Sequence, residues 1–175
     1  MTLDPKNWTD FRQVAHAMLD SSLDKMENSK QGRVWTPVPK KLKADLKTDA
    51  PNEGATPQQI KQELDQILEY GPGNTHPRFF GWVNGAGSPS NILAEIAAAS
   101  MNVNSGGRNH IAPIIEQQII KWSAGIMGMP DSTTGLITSG TSMATIIALK
   151  VARDKALELY DSSTLVGYTS AQTHN

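Results

Sequence analysis

A short loop of glycine and hydroxyl side chains joins an apolar run to a helical pattern in the last third of the sequence. The loop is Ser139, Gly140, Thr141 and Ser142, and the apolar run is Gly135–Thr138. The first N–H groups of a helix lack intrahelical partners, and the helix dipole favours negative charge there. The loop therefore indicates an anion site. The alternative is an ordinary capped helix, because serine and threonine are also good caps.

A histidine follows the next apolar run. His174 comes shortly after Leu165–Thr169, which is a strand candidate. Ligands of open α/β sheets bind beyond the carboxyl ends of the strands. We therefore expect His174 and the loop Ser139–Ser142 to lie at the same sheet edge. The alternative for a single histidine is a structural or surface role.

A third segment combines aromatic, basic and glycine residues. It reads HPRFFGW from His76 to Trp82 and continues as VNGAG to Gly87. An aromatic wall with a polar rim is typical of a ligand pocket. The alternative is a loop that lines the core and uses its glycines for turns.

Several chemistries are excluded or unsupported. The sequence has no cysteine, which rules out disulfides, thiolate metal sites and a cysteine nucleophile within this chain. His16 and Asp20 lie one helical turn apart without a third ligand, so we predict no metal site. A net charge of −1 gives no indication of nonspecific nucleic-acid binding. No signal peptide or membrane span is visible, and the lack of cysteine fits a reducing compartment, so we expect a cytoplasmic protein.

Helices must position most of these residues. Thr56, Pro57 and Gln59 form a strong helix start with a capping box. Ser88–Met101 is rich in alanine and nearly uncharged, so we expect that helix to be buried, with a subunit interface as one place for it. The pattern also predicts a short helical piece within the basic run after Pro39. Apolar spacing predicts further helices over 9–27, 113–127 and 141–160.

The last third changes to a strand, helix, strand pattern. Gly135–Thr138, the helix that follows it and Leu165–Thr169 predict one right-handed βαβ crossover. Parallel strands need neighbours on the sheet and helices on both faces. We therefore expect this chain of 175 residues to be the front part of a larger α/β protein.

Five segments in order resemble the group II pyridoxal-phosphate-dependent amino-acid decarboxylases, the family of aromatic-amino-acid, glutamate and histidine decarboxylases. They are FRQVAHAMLDSSLDKMEN, PVPKKLKADL with APNEGATPQQIKQELDQIL, THPRFFGWVNGAGSPSNILAEI, GLITSGTSMATIIAL and YTSAQTHN. The resemblance covers nearly the whole chain and implies fold type I of the pyridoxal-phosphate-dependent transferases. Residues 1–110 would form an N-terminal helical dimerisation segment. Residues 111–175 would begin the large cofactor domain, including its first βαβ unit.

The resemblance also implies a cofactor site. Gly140, Thr141 and Ser142 would hold the phosphate of pyridoxal 5'-phosphate. His174 would stack on the cofactor ring and assist at the reacting carbon as a catalytic residue. Residues 109–111 would face the partner subunit's site, because the family works as dimers, so we expect a homodimer.

The substrate pocket follows from the same resemblance. Phe80, Trp82, Asn84 and Gly85 would lie in it, and an L-amino acid would be the substrate. Several family members carry threonine where this chain has Gly85, so one side-chain contact to the substrate would be missing. Phe80 and Trp82 allow an aromatic substrate, although other substrates also have aromatic pocket walls.

One departure from the family is large. The family's Schiff-base lysine and the acid on its pyridine nitrogen lie downstream of the segment that carries His174, and no histidine here is followed by lysine. We therefore expect an N-terminal portion of a decarboxylase that is inactive alone. The alternatives are another pyridoxal-phosphate lyase, an aldehyde-forming decarboxylase, or a truncated interaction or phosphate-binding module.

Overall fold

The computed structural model describes residues 4–81, 83–104, 109–160 and 165–173. The chain divides into two compact units, 1–102 and 103–175. The helices in the described residues are α1 (Trp8–Glu27), α2 (Lys40–Asp45), α3 (Pro57–Leu68), α4 (Pro89–Met101), α5 (Ile111–Ile126) and α6 (Thr141–Leu159). A short 3-10 helix, Asn28–Lys30, follows α1. No helix in these ranges is long and apolar enough to cross a membrane.

The helix starts follow from local chemistry. The predicted capping box of α3 is confirmed, because the Thr56 hydroxyl accepts the Gln59 N–H and the Gln59 side chain accepts the Thr56 N–H at 2.8 Å. Such a cap stabilises a helix by about 1 kcal/mol. Helix α5 starts two residues before the predicted position, because His110 Nδ1 accepts the Ala112 N–H at 3.3 Å and caps the helix earlier.

The expected burial of α4 is not found. The helix has the predicted bounds, but none of its residues is buried, and Leu93 is 67% exposed. Burial requires a second apolar surface, and no other part of the described 1–102 unit covers this helix enough to bury any of its residues.

The predicted βαβ unit is not confirmed. Its helix is present as α6, but the described residues contain no strand, and Gly135–Thr138 and Leu165–Thr169 are irregular. A strand exists only when its N–H and C=O groups pair with a neighbouring strand. The Ile137 N–H instead donates to the Glu116 side chain at 2.9 Å.

Polar contacts join α1 to α3 in the 1–102 unit. Lys61 Nζ donates to Asp65 Oδ2 at 2.5 Å and lies 3.2 Å from Ser21 Oγ on α1. Lys25 and Glu69 add an ion pair of 2.7 Å between α1 and the end of α3. The hydrogen bond from Lys61 is the main reason that the pKa of Asp65 lies below its ordinary value of 3.8.

This lowered pKa predicts a loss of stability in acid. A carboxylate whose pKa is depressed by folding stabilises the protein above its unfolded-state pKa and loses that contribution as pH falls through the folded-state pKa. The window therefore lies below 3.8. We expect Asp65→Asn to flatten the decline of the urea midpoint between about pH 6 and about pH 2.

The control is Asp49→Asn, which removes an exposed acid from the connection before α3. It should leave the pH dependence of the urea midpoint unchanged. An equal flattening in both variants would contradict the assignment to the Lys61–Asp65 contact.

Candidate cofactor and substrate site

The start of α6 offers backbone donors without a side-chain cap. Gly140 is the N-cap residue, with φ 170° and ψ 169°, and its carbonyl accepts the Ala144 N–H at 3.2 Å. No side chain caps this helix end. The N–H groups of the first turn therefore remain available to an external acceptor.

Space and side chains at this helix start also suit an anion. A Cβ built on Gly140 would meet no atom within 4 Å. Thr141 and Ser142 are exposed, and within the described ranges their hydroxyls have no hydrogen-bond partner. Free N–H groups, two hydroxyl donors and the positive end of a helix of 19 residues fit a phosphate. Gly140, Thr141 and Ser142 lie together at this helix start, and their binding of a phosphate stays a prediction.

Helix α5 holds the segment that leads to this helix start. The Met129 N–H donates to the Ala124 carbonyl at 2.9 Å, and Ala124 is buried. A Cβ on Gly135 would lie 3.7 Å from Ile120 Cγ2. Further along, Glu116 accepts the Ile137 N–H. Ala124, Ile120 and Glu116 are spaced four residues apart, so the returning segment follows one face of α5.

Sequence reasoning missed Glu116. The helical spacing of α5 was visible, but a glutamate with no charged partner four residues away resembles any solvated position. Only the return of the chain along α5 shows that its carboxylate meets the backbone just before the candidate phosphate loop.

A second group of contacts shapes the segment predicted to line a substrate pocket. His76 is 95% buried, its exposed fraction being 5%, and its Nδ1 accepts the Arg78 N–H at 3.0 Å. The Arg78 guanidinium donates to the Gly32 carbonyl at 3.1 Å. These contacts tie the segment to the connection that follows α1.

Gly73 allows the same segment to approach that connection. Its φ is +84°, and a Cβ built there would lie 1.8 Å from the Val34 carbonyl oxygen. Only glycine fits both the conformation and the space. Asn74 Nδ2 donates to the Gly85 carbonyl, so the loop from 74 to 85 is closed at its ends.

Among the described residues predicted to line the substrate pocket, only Gly85 lines a cavity. Gly85 and His76 line one cavity of about 1110 Å³ between the end of α1, the following connection and the loop before α4. Phe80 is 94% exposed, Asn84 is exposed, and neither lines this cavity. Trp82 lies outside the described residues, and so does His174.

The candidate interface residues at the start of α5 have a local role. His110 caps the helix through Nδ1, and its Nε2 lies 2.9 Å from the Asn104 carbonyl oxygen. The predicted contact of residues 109–111 with a partner subunit stays a prediction. Among the described residues, no group of three or more His, Asp or Glu side chains could hold a metal ion.

Comparison with known proteins finds relatives that match nearly the whole of this chain. The chain is 30% identical over 169 residues to an aromatic-L-amino-acid decarboxylase of Bacillus atrophaeus, covering 94% of this chain and 35% of that protein. It is 29% identical to tryptophan decarboxylase 2 of Oryza sativa subsp. japonica, covering 99% and 37%. It is 28% identical to phenylacetaldehyde synthase of Arabidopsis thaliana, covering 99% and 38%. The chain therefore spans little more than a third of the length of these relatives.

A family model described as the pyridoxal-dependent decarboxylase conserved domain matches residues 39–175, well over half of the chain. The match includes the helix start at Gly140 and the segment from His76 to Gly87. Pyridoxal phosphate is the cofactor that this family implies, and it agrees with the phosphate donors at α6. The chain belongs to the pyridoxal-dependent decarboxylase family.

Proposed function

We propose that this chain is the N-terminal part of a pyridoxal-phosphate-dependent L-amino-acid decarboxylase whose substrate is an aromatic amino acid. The family match and the relatives named as aromatic-L-amino-acid and tryptophan decarboxylases support this proposal. The single observation on this chain that carries it is the uncapped start of α6, with open space at Gly140.

The residues at α6 bind the cofactor phosphate in this proposal. The N–H groups of the first turn and the hydroxyls of Thr141 and Ser142 donate to the phosphate oxygens, and Gly140 leaves room for them. When bound, pyridoxal phosphate supplies the electron sink that stabilises the negative charge left after carbon dioxide departs. The helix start fixes where the cofactor sits, which is the orienting role that the protein must supply.

The other roles extend the resemblance. We propose that His174 stacks on the cofactor ring and acts as a catalytic residue, and that Phe80, Trp82, Asn84 and Gly85 line the substrate pocket. We also propose a cytoplasmic homodimer in which residues 109–111 face the partner subunit's site. The absence of a His-Lys pair supports a Schiff-base lysine that lies outside these 175 residues, which would leave the chain inactive by itself.

Intact mass after borohydride reduction tests this proposal. Reduction fixes a pyridoxal group covalently on the lysine that holds it. We expect the protein captured from its natural source to have a mass well above 18.9 kDa and to carry one reduced pyridoxal adduct. A species of 18.9 kDa without an adduct would contradict the decarboxylase proposal and favour the truncated interaction module.

An aldehyde-forming reaction is the second candidate. The match to a phenylacetaldehyde synthase favours it, because that name states an aldehyde product. Incubation of the complete protein with L-tryptophan, L-tyrosine or L-phenylalanine separates the two reactions. The proposal expects the aromatic amine and carbon dioxide, whereas the second candidate consumes dioxygen and water and gives the aldehyde, carbon dioxide, ammonia and hydrogen peroxide. The D-amino acids serve as controls and should give neither product.

A further inference from the structure

We infer that Glu116 is a positioning residue for the phosphate-binding loop, acting through the backbone of Ile137. The inference deepens the proposed function and rests on it, since it assigns the phosphate to the start of α6. Its direct contact is the 2.9 Å hydrogen bond from the Ile137 N–H to Glu116 Oε1, across 21 residues of sequence.

The contact lies at the end of a return path along α5. After α5 ends at Ile126, the chain turns at Gly128, which has a φ of +66°. It then meets α5 at Ala124, Ile120 and Glu116 in that order. Glu116 lies eight positions before Ala124 on the helix, a rise of about 12 Å. Glu116 is therefore the last point at which the returning chain contacts α5 before α6 begins.

The contact at Glu116 differs in its chemistry from the contacts at Ala124 and Ile120. Residues 135–138 have no partner strand in the described ranges, and the Ile137 N–H finds its acceptor on a side chain of α5. Glu116 is partly buried, and its carboxylate supplies that acceptor. A hydrogen bond to a charged acceptor is stronger and shorter than one between neutral groups. Ile120 offers only apolar contact, which does not fix the register of the chain.

The contact between Glu116 and Ile137 is close enough to the phosphate-binding loop to set the position of that loop. Gly140 lies three positions after Ile137, a span of at most about 10 Å when extended. Within this stretch the Thr138 hydroxyl donates to the Gly140 carbonyl at 3.1 Å, which stiffens the connection. A shift of the backbone at Ile137 therefore moves the N–H groups that face the phosphate.

The test compares two substitutions of Glu116 in the complete protein that carries this chain. Glu116→Gln keeps an oxygen that can accept the N–H, whereas Glu116→Met keeps the length and removes the acceptor. The first readout is hydrogen exchange of the Ile137 amide. We expect about tenfold faster exchange in Glu116→Met and near wild-type exchange in Glu116→Gln.

The second readout is binding by the cofactor-free protein. Glu116→Met should weaken pyridoxal phosphate about tenfold but leave the binding of pyridoxal, which lacks the phosphate, nearly unchanged. General destabilisation would weaken both ligands alike, so the difference isolates positioning of the phosphate loop. Glu158→Met is the matched control, because Glu158 is exposed on α6 and forms no hydrogen bond within the described ranges.

The outcomes separate this inference from the proposed function. Unchanged exchange in Glu116→Met, or equal loss of both ligands, would overturn the role of Glu116. If Glu116→Met binds normally while Gly140→Ala loses pyridoxal phosphate, the loop holds phosphate without help from Glu116. If the wild-type protein binds no pyridoxal phosphate, the proposed function fails, and the role inferred for Glu116 toward that phosphate fails with it.

Discussion

Replacement of Gly73 by alanine is expected to cause the largest loss of stability in the 1–102 unit. The new Cβ would lie 1.8 Å from the Val34 carbonyl oxygen, and the φ of +84° is unfavourable for alanine. The backbone must move, and the loop that carries His76 must separate from the connection after α1. We expect a loss of roughly 3 kcal/mol, seen as a fall of about 10 °C in the midpoint of thermal unfolding.

Two nearby glycines supply controls that separate the cost of the clash with Val34 from the cost of the positive φ. Gly71→Ala introduces no clash and has no positive φ, so the thermal midpoint should hardly change. Gly87→Ala keeps the unfavourable φ, +79° here, but its Cβ would meet nothing within 4 Å. It should therefore show only the conformational cost of about 1 kcal/mol. A Gly73→Ala midpoint no lower than that of Gly87→Ala would contradict the close approach to Val34.

Gly140→Ala is expected to lose cofactor without losing fold. The φ of 170° is open to any residue, and the new Cβ would meet no protein atom within 4 Å. The thermal midpoint of the cofactor-free protein should therefore fall by no more than the small cost of alanine in place of glycine at an N-cap. If a phosphate occupies that space, the methyl group keeps it from the N–H groups of α6, and we expect roughly a hundredfold weaker binding of pyridoxal phosphate.

The control for this experiment lies on α5. Gly125→Ala also adds a methyl group that meets nothing within 4 Å, and it should leave the affinity for pyridoxal phosphate unchanged. Unchanged binding by Gly140→Ala would show that the phosphate lies elsewhere. Ser142→Ala should produce a smaller loss than Gly140→Ala, because it removes one donor and leaves the backbone N–H groups accessible.

The helices were predictable because their signals are local. The Thr56-Pro57-Gln59 start gave α3, and Ser88-Pro89 gave α4, since caps and proline act within one turn. The family and the grouping of residues 140–142 at a helix start were also within reach of the sequence, because a loop and the helix after it are adjacent in the chain.

The remaining features depend on distant partners. A strand needs a neighbour to pair with, so the apolar run Gly135–Thr138 did not suffice to make one. His76 is buried in a loop whose Arg78 and Gly73 meet a connection some forty residues earlier in the sequence. The role of Glu116 likewise depends on where the chain goes after α5. The pattern of apolar and polar residues within a segment does not indicate contacts with residues that are distant in the sequence.

The return of the chain along α5 also limits which changes in length the protein can accept. The three residues of α5 that contact the returning chain are Glu116, Ile120 and Ala124. They lie on one face of the helix only while their spacing of four residues is kept. One residue inserted between them would turn the preceding part of α5 by about 100° relative to the rest. Glu116 would then face away from Ile137. Residues 130–134 lie between the contacts made by Met129 and Gly135 and can absorb an insertion, so variation in length among related chains should concentrate there and avoid 116–124.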